Sequence, residues 1–275
     1  MRHNTSYACG GRCPKGMTEN HSAMTRVVVI GGGYAGALAA NHLRLRDSID
    51  ITLVNPRPVF VERLRLAQFV AGTHEATVDY ESVLGDGVRL VVDRAVRIDT
   101  TERTVELESG LCLDYDYVIY AVGSTATAPK AVPGVAENAY PLGEWEYARR
   151  LRGALDAAPA PDPVTVVGAG LTGIETAAEL AGQIRQVTLV SDGALAPAFL
   201  DPARRAVAKW LARNSVQVLE NTRVTEVRPG AVTLADGSEL RSPVTIWTAG
   251  FGSRIWPCAA ACAPTRSAGC SPMRP

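Results

Sequence analysis

The sequence predicts an α/β fold in which one strand–helix–strand unit occurs twice. In the 275-residue chain, residues 26–55 (RVVVIGGGYAGALAANHLRLRDSIDITLVN) and 163–191 (PVTVVGAGLTGIETAAELAGQIRQVTLVS) share one pattern. Each has a short β-branched run, a glycine turn, a helical stretch and a second β-branched run. The runs are almost continuously apolar, which is typical of parallel strands in a sheet that is covered on both faces.

Both glycine turns have the spacing GxGxxG, at Gly31, Gly33 and Gly36 and at Gly168, Gly170 and Gly173. In this motif the first glycine permits a tight turn, the second lets a pyrophosphate approach the backbone, and the third lets helix and strand pack closely. The N-terminus of the following helix carries about half a positive charge and faces the phosphates. The two turns therefore predict two Rossmann-like dinucleotide-binding domains. The alternative is that both turns only pack a helix against a strand.

A second pair of similar segments follows the motifs, at residues 88–123 and 216–250. In each, alternating strands enclose turn residues, and the last apolar strand is followed by small residues. These are Ala121-Val122-Gly123 in the first segment and Thr248-Ala249-Gly250 in the second. Small residues at the carboxyl end of a strand let a dinucleotide pass close by, so Ala121, Gly123, Ala249 and Gly250 are candidate cofactor-binding residues.

A helix is predicted between the two copies. The spacing within residues 143–157 places Trp145, Ala148, Leu151 and Leu155 on one face. Prolines at 159, 161 and 163 then form a linker that ends the helix before the second copy begins.

Composition argues against several classes of function. The 28 basic residues equal the 28 acidic ones and 47% of residues are hydrophobic, so neither a basic nucleic-acid-binding face nor a disordered chain is indicated. No apolar run reaches the roughly 20 residues of a membrane span, and the polar N-terminus does not resemble a secretory signal. We therefore expect a cytoplasmic protein with no transmembrane helix and no nucleic-acid partner. Five of the six cysteines lie near the two ends of the chain. Their short spacings can fit a metal site, but no His accompanies the C-terminal group and no second well-spaced pair completes the N-terminal one, so no metal is expected.

Four motifs in order, VVVIGGGYAG, YDYVIYAVG, VTVVGAGLTGIETAAELA and VTIWTAG, resemble the pyridine nucleotide-disulfide reductase family of flavoproteins. The resemblance is to its type II NADH dehydrogenase and apoptosis-inducing-factor-like branch, and it covers about residues 25–252. It implies an NAD(P)-binding domain inserted into an FAD-binding domain, with FAD and NADH or NADPH as cofactors. It also implies an oxidoreductase that passes hydride from NAD(P)H through the flavin to an acceptor such as a quinone, without a redox disulfide.

The resemblance also assigns roles to individual residues. It places Gly31, Gly33, Tyr34, Ala35 and Gly36 at the FAD pyrophosphate, Asn55 at the adenosine ribose, Val96 at adenine, and Ala121 and Gly123 on the flavin side. It places Gly168, Gly170, Leu171, Thr172 and Gly173 at the NAD(P)H pyrophosphate. Glu175 is the implied catalytic carboxylate near the nicotinamide and flavin rings; its alternative is an exposed helix carboxylate. Arg63 is a candidate near the flavin, although a structural amphipathic helix over residues 59–68 accounts for it equally well.

Three features depart from the family pattern. Asn55 stands where the family has Asp or Glu, and its amide can still donate to and accept from ribose hydroxyls. Ser191 and Asp192 stand at the equivalent place in the second copy and, without an adjacent arginine, favour NADH over NADPH. Residues 252–275 contain nothing that matches the later Gly-Asp motif or the C-terminal region of the family.

These features divide the chain into four parts. We expect an unstructured extension over 1–24, the first part of the FAD-binding domain over 25–130, the NAD(P)-binding domain over 131–250, and an irregular tail over 251–275. Two hypotheses for this tail are a disordered segment and out-of-frame translation. The FAD-binding domain is then incomplete at its C-terminus, so NAD(P)H should bind more reliably than FAD. The alternative function is a truncated, non-catalytic dinucleotide-binding protein. Peripheral membrane contact is expected only in a full-length relative, and the oligomeric state stays open.

Overall fold

The computed structural model describes residues 24–126, 131–158, 161–183 and 185–253. Within these ranges a 3-10 turn spans Arg63–Arg65, and the α-helices are α1 (Tyr34–Leu43), α2 (Leu66–Ala71), α3 (Tyr80–Val83), α4 (Val135–Asn138), α5 (Trp145–Ala157), α6 (Leu171–Ala181) and α7 (Asp201–Arg213). None of these helices has the length and apolar composition that a bilayer crossing requires.

The strands of the described ranges are mostly short, from three to seven residues. They are β1 (Thr25–Ile30), β2 (Ile49–Asn55), β3 (Val59–Val61), β4 (Thr77–Asp79), β5 (Val88–Val92), β6 (Ala95–Asp99), β7 (Thr104–Leu107), β8 (Cys112–Asp114), β9 (Tyr117–Tyr120), β10 (Ser124–Ala126), β11 (Ala139–Pro141), β12 (Val164–Val167), β13 (Val187–Val190), β14 (Gln217–Leu219), β15 (Val224–Arg228), β16 (Ala231–Leu234), β17 (Glu239–Arg241), β18 (Val244–Trp247) and β19 (Phe251–Ser253).

The first compact unit comprises residues 24–58 and 79–122 of the described chain. Its central sheet has the order β5-β2-β1-β9 and all its strand pairs are parallel. Val28 and Ile30 pack against the antiparallel sheet β6-β7-β8. Val29 is fully buried and points to the opposite face, since side chains alternate along a strand. Helix α1 packs against β1 and β2, so apolar residues are needed on both faces of β1.

The second compact unit comprises residues 59–78 and 123–253 of the described chain. Its parallel sheet has the order β11-β18-β12-β13-β14. Val166 and Ile246 pack in a core with helices α2, α5, α6 and α7. Val167 and Trp247 pack in a second core with α4 and the antiparallel sheet β15-β16-β17. The predicted α/β class is confirmed, and the continuous apolar strands follow from cores on both faces of this sheet.

The segment between β2 and α3 packs in the second unit. Helix α2 contacts both α5 and α6, and Leu66 and Val70 are buried in their shared core. The ring of Phe69 lies 4.5 Å from that of Trp145, centroid to centroid. The predicted helix face of α5 is confirmed, because Ala148, Leu151 and Leu155 are all buried there. The helix begins at Trp145, two residues later than the periodicity predicts.

The two units repeat one plan beyond the strand–helix–strand motif. The order β5-β2-β1-β9 matches β14-β13-β12-β18, and each unit adds a three-stranded antiparallel sheet. Both antiparallel sheets have an irregular register in their first strand, between Ala95 and Arg97 and between Val224 and Glu226. The two parallel sheets differ at one edge. Strand β11 pairs with β18, whereas β9 is the edge strand of the first sheet in the described part of the chain, and Tyr117 on it is exposed.

Because Ile246 is fully buried in β18, we expect Ile246→Ala to lower the free energy of unfolding of the second unit by about 2–5 kcal/mol. The measurement is urea unfolding followed by tryptophan fluorescence. Leu200→Ala is the control, since the side chain of Leu200 is 82% exposed, and it should change this free energy by less than about 0.5 kcal/mol. Equal effects of the two variants would contradict the burial of β18.

Candidate dinucleotide-binding sites

The first glycine turn closes tightly at the carboxyl end of β1. Gly31 has a φ of +102°, a left-handed conformation that strains other residues. A Cβ on Gly31 would lie 2.4 Å from the carbonyl oxygen of Ala121, and one on Gly36 would lie 1.8 Å from the carbonyl oxygen of Gly31. Both positions therefore require glycine. As a result, the first turn of α1 rests directly on the end of β1.

Gly33, unlike Gly31 and Gly36, has open space around it. It is exposed, it precedes the first residue of α1, and a Cβ there would meet no atom within 4 Å. No acidic side chain lies in the first turn of α1, and Tyr34 and Ala35 are exposed beside it. The first four N–H groups of a helix have no carbonyl partner within that helix. The turn therefore offers open space and a positive helix end to an anion.

Side chains from two other elements fix the middle of this turn. The N–H of Gly32 donates to Asn55 Oδ1 at 3.1 Å, and Asn55 Nδ2 donates to the carbonyl oxygen of Arg57 at 2.8 Å. The hydroxyl of Tyr80 donates to the carbonyl oxygen of Gly32 at 2.7 Å. Burial raises the pKa of Tyr80 to about 12, so this hydroxyl stays protonated near neutral pH. Because Asn55 both accepts and donates, an acid could not replace it in these two bonds without losing the donor.

The second glycine turn repeats the first at the end of β12. Gly168 has a φ of +112°, and its Cβ would lie 2.8 Å from the backbone nitrogen of Ala249. A Cβ on Gly173 would lie 1.7 Å from the carbonyl oxygen of Gly168. Gly170 is exposed, precedes α6 and has no atom within 4 Å of its Cβ position. Its backbone angles, φ −76° and ψ −177°, are close to the −76° and −168° of Gly33.

Thr248 is a site residue that the sequence did not reveal. Its N–H donates to the carbonyl oxygen of Val167, as the N–H of Ala121 does to Ile30 in the first unit. Thr248 is thus the positional counterpart of Ala121. The small-residue pattern had instead named its neighbour Ala249 as the candidate. The Thr248 hydroxyl lies 2.9 Å from the Val167 oxygen and 3.0 Å from that of Gly168. It therefore fixes the second turn from a neighbouring strand.

The strand orders place both turns where ligands bind in open α/β sheets. Strand β1 lies between β2 and β9, and β12 lies between β13 and β18. In each case the chain continues to one side of the central strand and returns later on the other side. Crevices at such switch points, beyond the carboxyl ends of the strands, are the general binding places of this architecture. Gly31 and Ala121 line one such place, and Gly168, Thr248 and Ala249 line the other.

The other candidate residues lie at varied distances from these turns. Leu171 and Thr172 form the first turn of α6, with Leu171 exposed. Gly250 follows Ala249 with a φ of +83°. Val96 lies in the sheet β6-β7-β8, which is separate from the sheet β5-β2-β1-β9 that carries the first glycine turn. The side chain of Val96 is exposed.

Arg63 and Gly123 are brought together by the fold although 60 positions separate them. The Arg63 guanidinium donates to the carbonyl oxygen of Ser124 at 2.9 Å, and one of its nitrogens lies 3.6 Å from the Cβ position of Gly123. Arg63 begins the 3-10 turn that precedes α2. The structure thus sets a cation beside Gly123.

Glu175 lies on α6, one turn beyond its start, and much of the residue is exposed. Partial burial, and then the charge of Glu179, raise the pKa of its carboxyl above the ordinary 4.5. Glu179 itself accepts a hydrogen bond from the Thr73 hydroxyl at 2.8 Å. At the end of β13, Ser191 is half-buried and Asp192 is exposed. Among the described residues, no group of three His, Cys, Asp or Glu could hold a metal ion.

Comparison with known proteins agrees with this geometry. The sequence model of the pyridine nucleotide-disulphide oxidoreductases matches residues 25–266. The chain belongs to this family. The membership supports FAD and NAD(P)H as cofactors, and several relatives are named as NADH dehydrogenase-like proteins or NAD(P)H oxidoreductases.

Three similar proteins illustrate the relationship. An NADH dehydrogenase-like protein of Mycobacterium tuberculosis, MT1860, is 33% identical over 83% of this chain and 63% of its own length. The mitochondrial external alternative NAD(P)H-ubiquinone oxidoreductase B2 of Arabidopsis thaliana is 26% identical over 91% of this chain and 50% of its own. The solved structure of NDH2 from Plasmodium falciparum in complex with NADH superposes with a TM-score of 0.71 at 21% identity, covering 83% of this chain and 55% of that one. The chain thus spans about half to two thirds of the length of these proteins.

Because Glu179 contributes to the raised pKa of Glu175, we expect Glu179→Gln to lower that pKa toward 4.5, as measured by NMR titration of the carboxyl carbon. A raised carboxyl pKa destabilises the folded state above that pKa and ceases to do so below the unfolded value. Glu175→Gln should therefore stabilise the protein at pH 7, and the gain should disappear as the pH falls below about 4.5. A Glu175 pKa that does not respond to Glu179→Gln would contradict the coupling.

Proposed function

We propose that the chain is the dinucleotide-binding part of an oxidoreductase that passes hydride from NAD(P)H through FAD to an acceptor such as a quinone. In this proposal the first unit binds FAD and the second binds NADH or NADPH. The observation that carries it is the repeated turn, with a closed glycine at each strand end and an open one before each helix. In this proposal α1 supplies no redox cysteine, since α1 contains none.

The two turns fit a pyrophosphate in shape and charge. A methyl group at Gly33 or Gly170 would occupy the open space beside the helix end, where phosphate oxygens must come close to backbone N–H groups. Neither α1 nor α6 has an acidic residue in its first turn, so no carboxylate repels the phosphates. The backbone of residues 33–36 would hold one pyrophosphate and that of residues 170–173 the other.

The redox chemistry belongs to the nicotinamide and flavin rings when they are bound. The chain itself supplies position and charge. In the proposal Ala121 and Gly123 leave room for the flavin, and Arg63 stands beside Gly123 as a fixed cation. In the proposal Glu175 of α6 would be the carboxylate near the nicotinamide ring. Its raised pKa suits a group that accepts or holds a proton close to the reacting rings.

The proposal that the acceptor is a quinone rests on the name of one relative and on the chemistry of quinones. The Arabidopsis relative is named for ubiquinone. A quinone is an apolar two-electron acceptor and needs no protein-bound metal to be reduced by a flavin.

A second candidate function is nucleotide binding without turnover. It is favoured by the difference between the two sheets, because β18 is buried and paired on both sides whereas both ends of β9 are exposed. On that basis NAD(P)H binding by the second unit is the more robust property of the 275-residue chain.

Co-purification of flavin distinguishes the two candidates. The full chain is expressed, and its visible absorbance and its rate of NADH oxidation with a water-soluble quinone are recorded. Bound flavin together with quinone-dependent oxidation supports the oxidoreductase. A folded, colourless protein that binds NADH would overturn the oxidoreductase proposal for this chain and leave nucleotide binding. A protein that binds neither cofactor would overturn both.

We expect Gly170→Ala to weaken NADH binding by roughly tenfold or more, because a methyl group enters the space that the pyrophosphate needs. The fold should persist, since the position is exposed, has φ −76° and meets no atom, and the expected cost is below about 1 kcal/mol. Gly153→Ala is the matched control. Gly153 is an exposed helix residue whose Cβ position is also open, so this change should stabilise α5 by about 0.5–1 kcal/mol and leave NADH binding unaltered. Both are measured by calorimetric titration and thermal unfolding.

A further inference from the structure

The loop that follows β13 is fixed to the loop that follows β14. The N–H of Ser191 donates to the carbonyl oxygen of Leu219 at 2.9 Å, and the N–H of Thr222 donates to that of Ser191 at 2.8 Å. The N–H of Asn221 donates to the carbonyl oxygen of Gly193 at 3.2 Å. The parallel pairing of β13 and β14 is thereby extended past the ends of both strands. Residues 191–193 and 219–222 therefore form one defined surface at the carboxyl edge of the sheet.

This pairing brings Arg223 to Asp192, although 31 positions separate them in the sequence. The Nε of Arg223 lies 3.9 Å from a carboxylate oxygen of Asp192. The side chains are 68% and 74% exposed, so water surrounds the pair and it contributes at most about 1 kcal/mol. A guanidinium in such a pair can turn to another anion at little cost. The sequence alone had shown no arginine next to Ser191 and Asp192; the fold supplies one.

The end of the second strand in a dinucleotide-binding unit is where the adenosine ribose lies. An acidic side chain there accepts a hydrogen bond from the 2′-hydroxyl of NADH, and it repels the 2′-phosphate of NADPH. A nearby arginine reverses this preference, because its guanidinium pairs with phosphate oxygens and neutralises the acid. In this chain both groups stand at the end of β13, within 4 Å of each other.

We propose that Arg223 is a specificity-determining residue that accepts the 2′-phosphate of NADPH, while Asp192 serves the 2′-hydroxyl of NADH, so that the chain binds both nucleotides. This inference rests on the proposed function, namely that the second unit binds NAD(P)H. It replaces the preference for NADH that the sequence indicated by itself. It also makes nucleotide choice depend on exposed side chains outside the glycine turn.

The test is calorimetric titration of the full chain with NADPH and with NADH, at one ionic strength. Arg223→Ala should weaken NADPH binding by about tenfold and NADH binding by less than about twofold. Asp192→Asn should weaken NADH binding and strengthen NADPH binding. The wild-type affinity for NADPH should also fall more steeply with added salt than that for NADH, since it includes an extra ion pair.

Arg241→Ala is the matched control. Arg241 is 66% exposed, lies in the same unit and pairs with Asp162 at 3.0 Å, so its loss removes an arginine–aspartate ion pair at another place. It should alter neither affinity. Equal effects of Arg223→Ala on both nucleotides, or no effect on either, would overturn the proposal, and so would a wild-type chain that binds NADH but not NADPH. A wild-type chain that binds neither would instead show that the proposed function itself is wrong.

Discussion

Each unit depends on one close approach, that of a helix to the end of the strand before it. The first turn of α1 passes so near the carbonyl oxygen of Gly31 that only a glycine fits at position 36, and the same holds for Gly173 over Gly168. This approach decides where the helix axis begins, and therefore where its positive end lies. A larger residue would displace the helix from the sheet. The same close packing leaves the backbone open at Gly33 and Gly170, the two positions where a pyrophosphate is proposed to bind.

The two units support this turn in different ways. In the first, Asn55 accepts a hydrogen bond from the N–H of Gly32, and the buried Tyr80 donates one to its carbonyl oxygen. A Cβ on Gly32 would lie 2.0 Å from the tyrosine hydroxyl, so the tyrosine requires a glycine there. In the second unit the equivalent residue is Ala169, whose carbonyl oxygen accepts a bond from the backbone N–H of Ala196 instead. The turn geometry is thus the same in the two copies, while the groups that hydrogen-bond to it differ.

Local pattern was sufficient to predict much of the fold. The two strand–helix–strand units and the buried face of α5 are each set by neighbours within a few residues, through periodicity and turn chemistry. What could not be predicted depends on contacts between distant segments. Thr248 reaches the second turn across 80 positions, and Arg223 reaches Asp192 only because two loops pair by their backbones. Such side chains leave no periodic signal, since their surroundings come from the topology.

These two kinds of contact also have different freedom to change. At the pyrophosphate end, binding depends on backbone groups and on the absence of side chains, so almost any substitution at Gly31, Gly36, Gly168 or Gly173 meets main-chain atoms below 3 Å. At the proposed ribose end, recognition would depend on exposed side chains on paired loops, whose ion pair adds at most about 1 kcal/mol to stability. Replacing Asp192 or Arg223 therefore leaves the fold intact while it alters charge by a full unit. In the proposed function, affinity for a dinucleotide would therefore be fixed by the core of each unit, whereas the choice between dinucleotides could vary at its surface without any change in that core.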